Sequence, residues 1–461
     1  MKSIPQVHLD NPANDKNSTQ QAAPRPTTAQ PLWTDVFYSF GTLGRSSLGF
    51  VFSSWLLYFY IPPQGDPLVP VALYGVAMII GRTISAILAP LIGYYSDNSQ
   101  SRWGRRRPFL IAAGLPLAVL FVLLWMPPQQ SESLWNLVYL TVLFSLYRIT
   151  LSLYQVPYEA LLPEIASSDR HRVRISAWQS GFLLVGMVIG GVAGLAIDHL
   201  GYLGMALIFA GVAVVAFYLP LLVLREHKER TIAAHERFAF RRSLAITLNN
   251  RGFMVFAAAW AISILTTSLV QSSAPFIVTE VCRLNKADTI YFYLPGLLAS
   301  LASYPIMARL TQTWGKRNLF AASFLSAAVV FPGTMLIGPW LPISLKTQCI
   351  SWAVLQAVSI SGLLVLTSAF VAEITDADHA NTGQRREGMY YASMNMFEQV
   401  ATGIASLLLP VLLLVGRSQL SPQGPLGIRL SGAVGGILMF AGFLIFLRYP
   451  LRRLPAGDDH K

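Results

Sequence analysis

Charge is what this chain has least of: of 461 residues only 12% are Asp, Glu, Lys or Arg, against 54% that are hydrophobic. So few charged groups cannot dress a surface in water, which excludes a water-soluble globular protein and leaves a bilayer as the solvent. No metal-ligand spacing, no nucleophile beside a base and no Gly-rich phosphate loop is found, so neither an enzyme nor a metal protein is expected, and no cofactor. Cysteine occurs only as Cys282 and Cys349. That excludes a disulfide scaffold; both are expected near the outer face, as isolated thiols in preference to a bridge. The first residues lack an apolar stretch and a cleavable signal peptide.

What is abundant is long apolar runs. Twelve of them lie between Val36 and Pro450, at 36–60, 69–95, 108–126, 135–160, 175–197, 202–224, 252–281, 288–312, 319–339, 347–371, 389–416 and 428–448. Lipid offers no partner for a backbone amide or carbonyl, so each run is expected to cross as a helix of about 20 residues. Basic residues gather in the loops after even-numbered segments, including Arg102, Arg105, Arg106, Arg107, Arg170, Arg172, Arg174, Arg241, Arg242, Lys316, Arg317, Arg385 and Arg386. Lys and Arg beside short loops resist translocation, which predicts a multi-pass plasma (inner) membrane protein with both termini cytoplasmic. The net charge of +12 follows from that topology and from attraction to anionic headgroups, so nucleic acid is not an expected partner.

Two copies of one pattern sit about 210 residues apart, a spacing that reports an internal duplication. Trp103-Gly104-Arg105-Arg106 ends segment 2 and Trp314-Gly315-Lys316-Arg317 ends segment 8, while Pro163-Glu164-Ile165 and Ala372-Glu373-Ile374 end segments 4 and 10. The expected division is a disordered cytoplasmic tail (1–33), an N-terminal six-helix bundle (34–225), a cytoplasmic linker (226–251), a C-terminal six-helix bundle (252–450) and a short cytoplasmic tail (451–461). The fold class is thus an all-α membrane protein of twelve transmembrane helices in two pseudo-symmetric six-helix bundles, working as a monomer.

Pro90-Leu91-Ile92-Gly93-Tyr94-Tyr95-Ser96-Asp97 followed by Ser101 to Phe109 resembles the segment 2–3 loop of the major facilitator superfamily, and the loop alone also resembles that of plant sucrose transporters. Val156-Pro157-Tyr158-Glu159-Ala160-Leu161-Leu162-Pro163-Glu164 and Thr382-Gly383-Gln384-Arg385-Arg386-Glu387-Gly388-Met389 resemble, more narrowly, the glycoside-pentoside-hexuronide:cation symporter family, whose best-known member is melibiose permease. The likeness implies secondary transport of a glycoside or related polar solute by rocking of two bundles. It also implies a gate made by Asp97, Arg102, Gly104, Arg105 and Arg106 with Arg385 and Arg386. Asp97 beneath the partly positive N-terminus of segment 11 would latch that gate; the plainer alternative is that the arginines only enforce topology.

The sequence departs from that family in the cavity. Where its members carry acids on segments 1, 2 and 4, this chain has Ser46, Ser85, Ala89 and Gln155; the basic positions on segments 5 and 11 become Gln179 and Gln399. A sodium site usually needs at least one carboxylate, so sodium coupling through those positions is not expected. Arg45, Arg82, Arg148 and Glu398 fall at one depth near the midplane, where ionised groups are costly unless paired or wet. Arg45, Arg82 and Arg148, with Ser46, Tyr154, Gln155, Gln179 and Gln399, are the candidate substrate-binding residues, and Glu398 is the candidate for coupling to a proton. An alternative is that Arg82 and Arg148 merely bond helix carbonyls and hold the bundle together. Three positive side chains against one acid point to an anionic or zwitterionic guest as one reading. Two further functions stay open at this level: transport of a lysophospholipid or other amphiphile, and a non-transporting membrane scaffold.

Overall fold

The computed structural model describes residues 31–99, 101–166, 168–223, 247–382, 387–415 and 425–449. The two tails, most of the expected linker, Arg385 and Arg386 lie outside the described residues. Among the described residues twelve long helices occur: α1 Gly41–Tyr60, α2 Val71–Asn98, α3 Arg107–Leu123, α4 Leu134–Ile165, α5 Asp169–Gly191, α6 Ala193–Tyr218, α7 Arg251–Phe276, α8 Ile290–Trp314, α9 Lys316–Val330, α10 Leu345–Thr382, α11 Glu387–Leu413 and α12 Pro425–Leu447. No strand is found among the described residues. Ten of the twelve are long and apolar enough to cross a bilayer. The other two are α3, with 17 residues, and α1, whose apolar character is diluted by Arg45, Ser46, Ser47, Ser53 and Ser54.

Each expected segment finds its helix, though bounds differ: α10 runs on to Thr382 and α9 stops at Val330. Helix α5 starts at Asp169 and stops at Gly191, several residues earlier than the apolar run suggests at both ends. Ser168 caps its first turn by accepting a hydrogen bond from the His171 amide, a polar start that hydropathy alone does not see. The tail of the expected run, from Ala193 to Leu200, is a separate short helix joined to the rest of α6 at Gly201, where φ is +70° and favours glycine.

The duplication is visible in the packing. In the first half α1 packs on α5 and α6, α2 on α4, and α3 on α4 and α6; in the second, α7 packs on α11 and α12, α8 on α10, and α9 on α10 and α12. The partners correspond one to one on adding six. Between the halves, α1 meets α7, while α2 meets α11 as α5 meets α8, so the two halves are related by an approximate two-fold axis. The echoed loops repeat the same device. Gly104 (φ +106°) and Gly315 (φ +79°) turn the chain after α2 and α8. Behind them the Arg107 guanidinium donates to the Leu221 carbonyl at 2.9 Å and Arg317 donates to the Leu447 carbonyl at 2.9 Å, tying each loop to the end of its own half's sixth helix. Lys316 also pairs with Glu373 at 3.6 Å, linking the two echoed motifs of the second half. Both partners are well exposed, so that pair contributes no more than about 1 kcal/mol.

Candidate functional site

The end of the molecule that carries Arg102 to Arg107, Lys316 and Arg317 is called here the basic face. Midway between it and the opposite face, side chains from three helices meet. Arg148 on α4 donates to the Gln399 side-chain carbonyl on α11 at 2.9 Å, and Arg82 on α2 reaches the same oxygen at 3.5 Å. Ser85, one turn beyond Arg82, is spent on α4: its hydroxyl donates to the Arg148 carbonyl at 3.0 Å and lies 2.8 Å from Ser152 Oγ. The Nε atoms of Arg82 and Arg148 are buried without a hydrogen-bond partner. Beside Arg82 is a small cavity of about 30 Å³ bordered by Tyr74, Ser268, Ser272, Thr402 and Ser406, room for little more than one water.

Glu398, the neighbour of Gln399, turns the other way. It accepts a hydrogen bond from the Trp260 indole on α7 at 2.8 Å. It turns away from the two arginines because one step along a helix rotates a side chain by about 100° and carries it to a different neighbouring helix. Trp260 carries no charge and left no sign of this role in the sequence.

Towards the basic face lies a second polar group. Arg45 on α1 is 3.9 Å from Glu159 on α4, and Gln155 donates to that same carboxylate at 2.7 Å across one helical turn. The side chains of Arg45 and Glu159 remain 32% and 53% exposed, which at this depth requires water and not hydrocarbon around them. Glu159 is a cavity charge that the depth of the spanning segments alone does not reveal. Its position one turn after Gln155 was the available signal. Gln179 on α5 lies 3.5 Å from the Tyr158 hydroxyl at the edge of this region.

Two residues expected in the cavity sit in helix contacts. Tyr154 is 1% exposed, stacks on Tyr158 and donates its hydroxyl to the Phe217 carbonyl at 3.1 Å, so it belongs to the core between α1, α4 and α6. Ser46 bonds back to the Leu43 carbonyl and packs on Gly186, where a methyl group would have no room. Small residues at such crossings let helices approach closely in lipid, and that is the use made of this serine.

The halves are joined at one face and parted at the other. From the arginine level towards the face opposite the basic loops, the Ser272 hydroxyl donates to the Ser53 carbonyl at 2.9 Å and the Tyr58 hydroxyl meets Thr279 at 3.2 Å. A Cβ at Gly75 would have no room against Leu407, and one at Gly191 would touch Tyr293. At that rim Asp198, on the short helix before Gly201, accepts the backbone N–H of Ala287 at 2.7 Å. Ala287 lies in the first turn leading into α8, so a carboxylate of one half sits on a helix N-terminus of the other. Lys286 stacks over the Tyr202 ring at 5.2 Å beside it. Past Arg82 the stripe that α2 turns to α11 continues as Ala86 and Pro90, and its counterpart on α11 as Asn395 and Ala392; all four are exposed. The molecule therefore holds a cleft that opens to the basic face.

Asp97 is engaged within its own half. Arg106, almost fully buried, pairs with Asp97 at 2.6 Å and also donates to the Ala160 carbonyl. The guanidinium that Asp97 meets is nine residues away in the same loop; the residues just before α11, where its expected partner lies, are outside the described residues. Arg102 lies over the Trp103 ring at 5.4 Å, and Arg105 is half-buried in the same loop. A buried cluster unforeseen from the sequence pins the start of α5: Asp35, fully buried, is 2.8 Å from His171 Nε2 and 2.6 Å from Arg174 Nε. Cys282 and Cys349 are buried free thiols.

Comparison with known proteins agrees with this architecture. Residues 37–453 match the family model described as MFS/sugar transport protein. An uncharacterized symporter of Synechocystis is 22% identical, with 92% of this chain and 95% of the relative covered. The glucuronide carrier protein homolog of Escherichia coli is 23% identical over 91% of this chain and 92% of its own length. Among solved structures, the nucleoside transporter NupG superposes with a TM-score of 0.61 at 12% identity, covering 90% of this chain and all of NupG, a likeness of fold.

Proposed function

The chain belongs to the MFS/sugar transport protein family, and from that premise we propose that it carries a sugar or glycoside by alternating access. It is a multi-pass membrane protein and a secondary transporter of polar solutes, not an enzyme. Neither the amphiphile reading nor the scaffold reading is favoured by this family and fold. The observation that carries the proposal is the asymmetry of the two faces: the halves are latched at Asp198 and Ala287 and parted beyond Arg82 and Gln399. A two-state element of this kind is what alternating access needs.

The substrate-binding residues of this reading are Arg82, Arg148 and Gln399 at the crossing, with Arg45, Gln155 and Gln179 along the cleft; Tyr154 and Ser46 hold the helices that present them. The basic face is read as cytoplasmic, in a bacterial inner membrane, from the distribution of Lys and Arg, which makes the conformation described inward-facing. Asp97, Arg102, Gly104, Arg105 and Arg106, with Arg385 and Arg386, form the inner gate of this reading, and the protein acts as a monomer. Coupling is assigned to a proton through Glu398, a carboxylate within the transport core. Sodium is disfavoured because Ser85 and Gln155, which stand where the family has acids, are bonded to α4 groups and Ala89 offers no ligand. The glucuronide carrier among the relatives supports a sugar-type solute.

The test is flux into proteoliposomes with a panel of radiolabelled neutral glycosides and hexuronates, driven separately by imposed proton and sodium gradients. Uptake of at least one sugar, stimulated by the proton gradient alone, is the expected result. Absence of any sugar flux refutes the substrate reading, and sodium-driven uptake refutes the coupling reading.

A further inference from the structure

We propose that Cys282 and Cys349 are an oxidisable pair that closes as a disulfide at the rim opposite the basic face, stapling the end of α7 to the start of α10 beneath the loop that meets Asp198. The site lies outside the transport core, and its reactant is a disulfide donor. That this rim meets an oxidising compartment rests on the orientation read above, in which the basic face is cytoplasmic.

The two thiols are far apart in sequence and meet in the fold. Cys282 follows the π-helical turn Ile277–Val281 that finishes α7, and its amide donates back to the Ile277 carbonyl at 2.9 Å. Cys349 sits one turn into α10. Their side chains lie within hydrogen-bonding reach of one another, and the two residues are 1% and 2% exposed. The same end of α10 is fastened to the neighbouring loop a second time: Lys346 pairs with Asp288 at 3.9 Å and stands 3.5 Å over the Tyr291 ring.

The pair lies just beneath the surface. Arg283, directly after Cys282, is exposed and turns the chain with φ +55°, the only positive φ of a non-glycine residue among the described residues. The Lys346 side chain, on the first turn of α10, is 42% exposed. A small opening of this corner therefore brings both sulfurs to water without parting the halves.

The thiolate is the attacking form of cysteine, and Cys282 has the Arg429 guanidinium as an electrostatic neighbour. Cys282 accordingly attacks one sulfur of the donor disulfide, forming a mixed disulfide and releasing the other donor sulfur as a thiol. Cys349 then loses its proton and displaces the bound donor sulfur, which makes the Cys282–Cys349 bond. The two cysteines have given up two protons and two electrons, and both donor sulfurs leave reduced. Since the two cysteines belong to one half, the bond crosses no interface that rocking must open. It holds instead the loop from Arg283 to Thr289, whose Lys286 and Ala287 meet Tyr202 and Asp198 of the other half. It also closes a long loop of the chain, which restricts the unfolded state.

The experiment uses the full chain, denatured straight from membranes in the presence of a maleimide-linked polymer, with and without prior reduction. No adduct is expected before reduction and two after it, and peptide mapping is expected to show one linked pair lighter by two hydrogens than its separate peptides. In detergent, reduction is expected to lower the thermal midpoint by at least about 2 °C and to speed amide exchange across the loop from Arg283 to Thr289. Oxidised glutathione, added to the folded reduced chain as the donor, is expected to restore the linked form. Cys349→Ala is expected to leave Cys282 open to maleimide without reduction and to remove the effect of reductant on the midpoint.

Three results would overturn the proposal: both cysteines still taking maleimide after oxidised glutathione, each ending as a separate glutathione adduct, or a closed bond that changes neither midpoint nor exchange. If the chain leaves the membrane with both thiols free and glutathione then closes the bond in detergent, the pair stands as an oxidisable site and the orientation reading has failed.

Discussion

The two faces of this protein solve the same problem with an acid in different places. At the closed face Asp198 reaches across the halves to the first turn before α8, at 2.7 Å from the Ala287 amide. At the open face Asp97 stays within its half, 2.6 Å from Arg106. The first contact joins the two halves; the second joins two residues of one half. A carboxylate on a helix N-terminus is worth about 0.3–1 kcal/mol, weak enough to be broken in each cycle. A buried guanidinium stripped of its carboxylate costs several times more. The difference separates a contact between the halves from one inside a half.

The sharpest way to break the comparison is steric. Gly194 packs against the Lys286 carbonyl and Thr289 of the other half, and a Cβ there has no room. Gly194→Ala is expected to hold the closed face apart and reduce transport to near background. Spin labels at the rim ends of α6 and α8 should report a longer distance, whereas Gly181→Ala, with nothing within 4 Å, should leave both unchanged. An unaltered distance in the first variant removes Gly194 from the contact.

Next in size is Asp97→Ala, which leaves the buried Arg106 without its counter-charge. A loss of about 3 kcal/mol is expected, at the low end for such pairs because Asp97 is itself partly exposed. Thermal unfolding in detergent reads it. Should stability hold while transport alone falls, Asp97 acts between the halves after all.

The smallest effect belongs to Asp198→Ala. About 1 kcal/mol of the closed-face contact is lost, enough to shift the two-state ratio roughly fivefold towards opening at that face. The same label pair measures it as a change in the populations of two distances and not as a new distance. A population shift of the opposite sign would show that Asp198 props the rim open.

The helices and the duplication were readable early because hydropathy and spacing are properties of the chain alone: each expected run has its helix, and Trp103-Gly104 and Trp314-Gly315 mark turns with the same left-handed glycine. The start of α5 is not legible in hydropathy because a polar cap and the Asp35, His171 and Arg174 cluster decide it, and those partners lie 136 and 139 residues apart. Arg82, Arg148 and Gln399 were each singled out from the sequence, but their convergence on one oxygen depends on helix rotation within the membrane. Tyr154 and Gln155 show the limit most plainly. They are adjacent, yet one faces the core and the other the cleft.

Composition and periodicity by themselves determined a twelve-segment, internally repeated membrane chain, since a bilayer demands satisfied backbones and apolar length wherever the segments end up. Only the tertiary structure decided which acid spans the halves, which arginines share an acceptor and which face lies open. Those outcomes depend on how helices are rotated and tilted against one another, and packing between distant residues sets that, not the order of residues along any one helix.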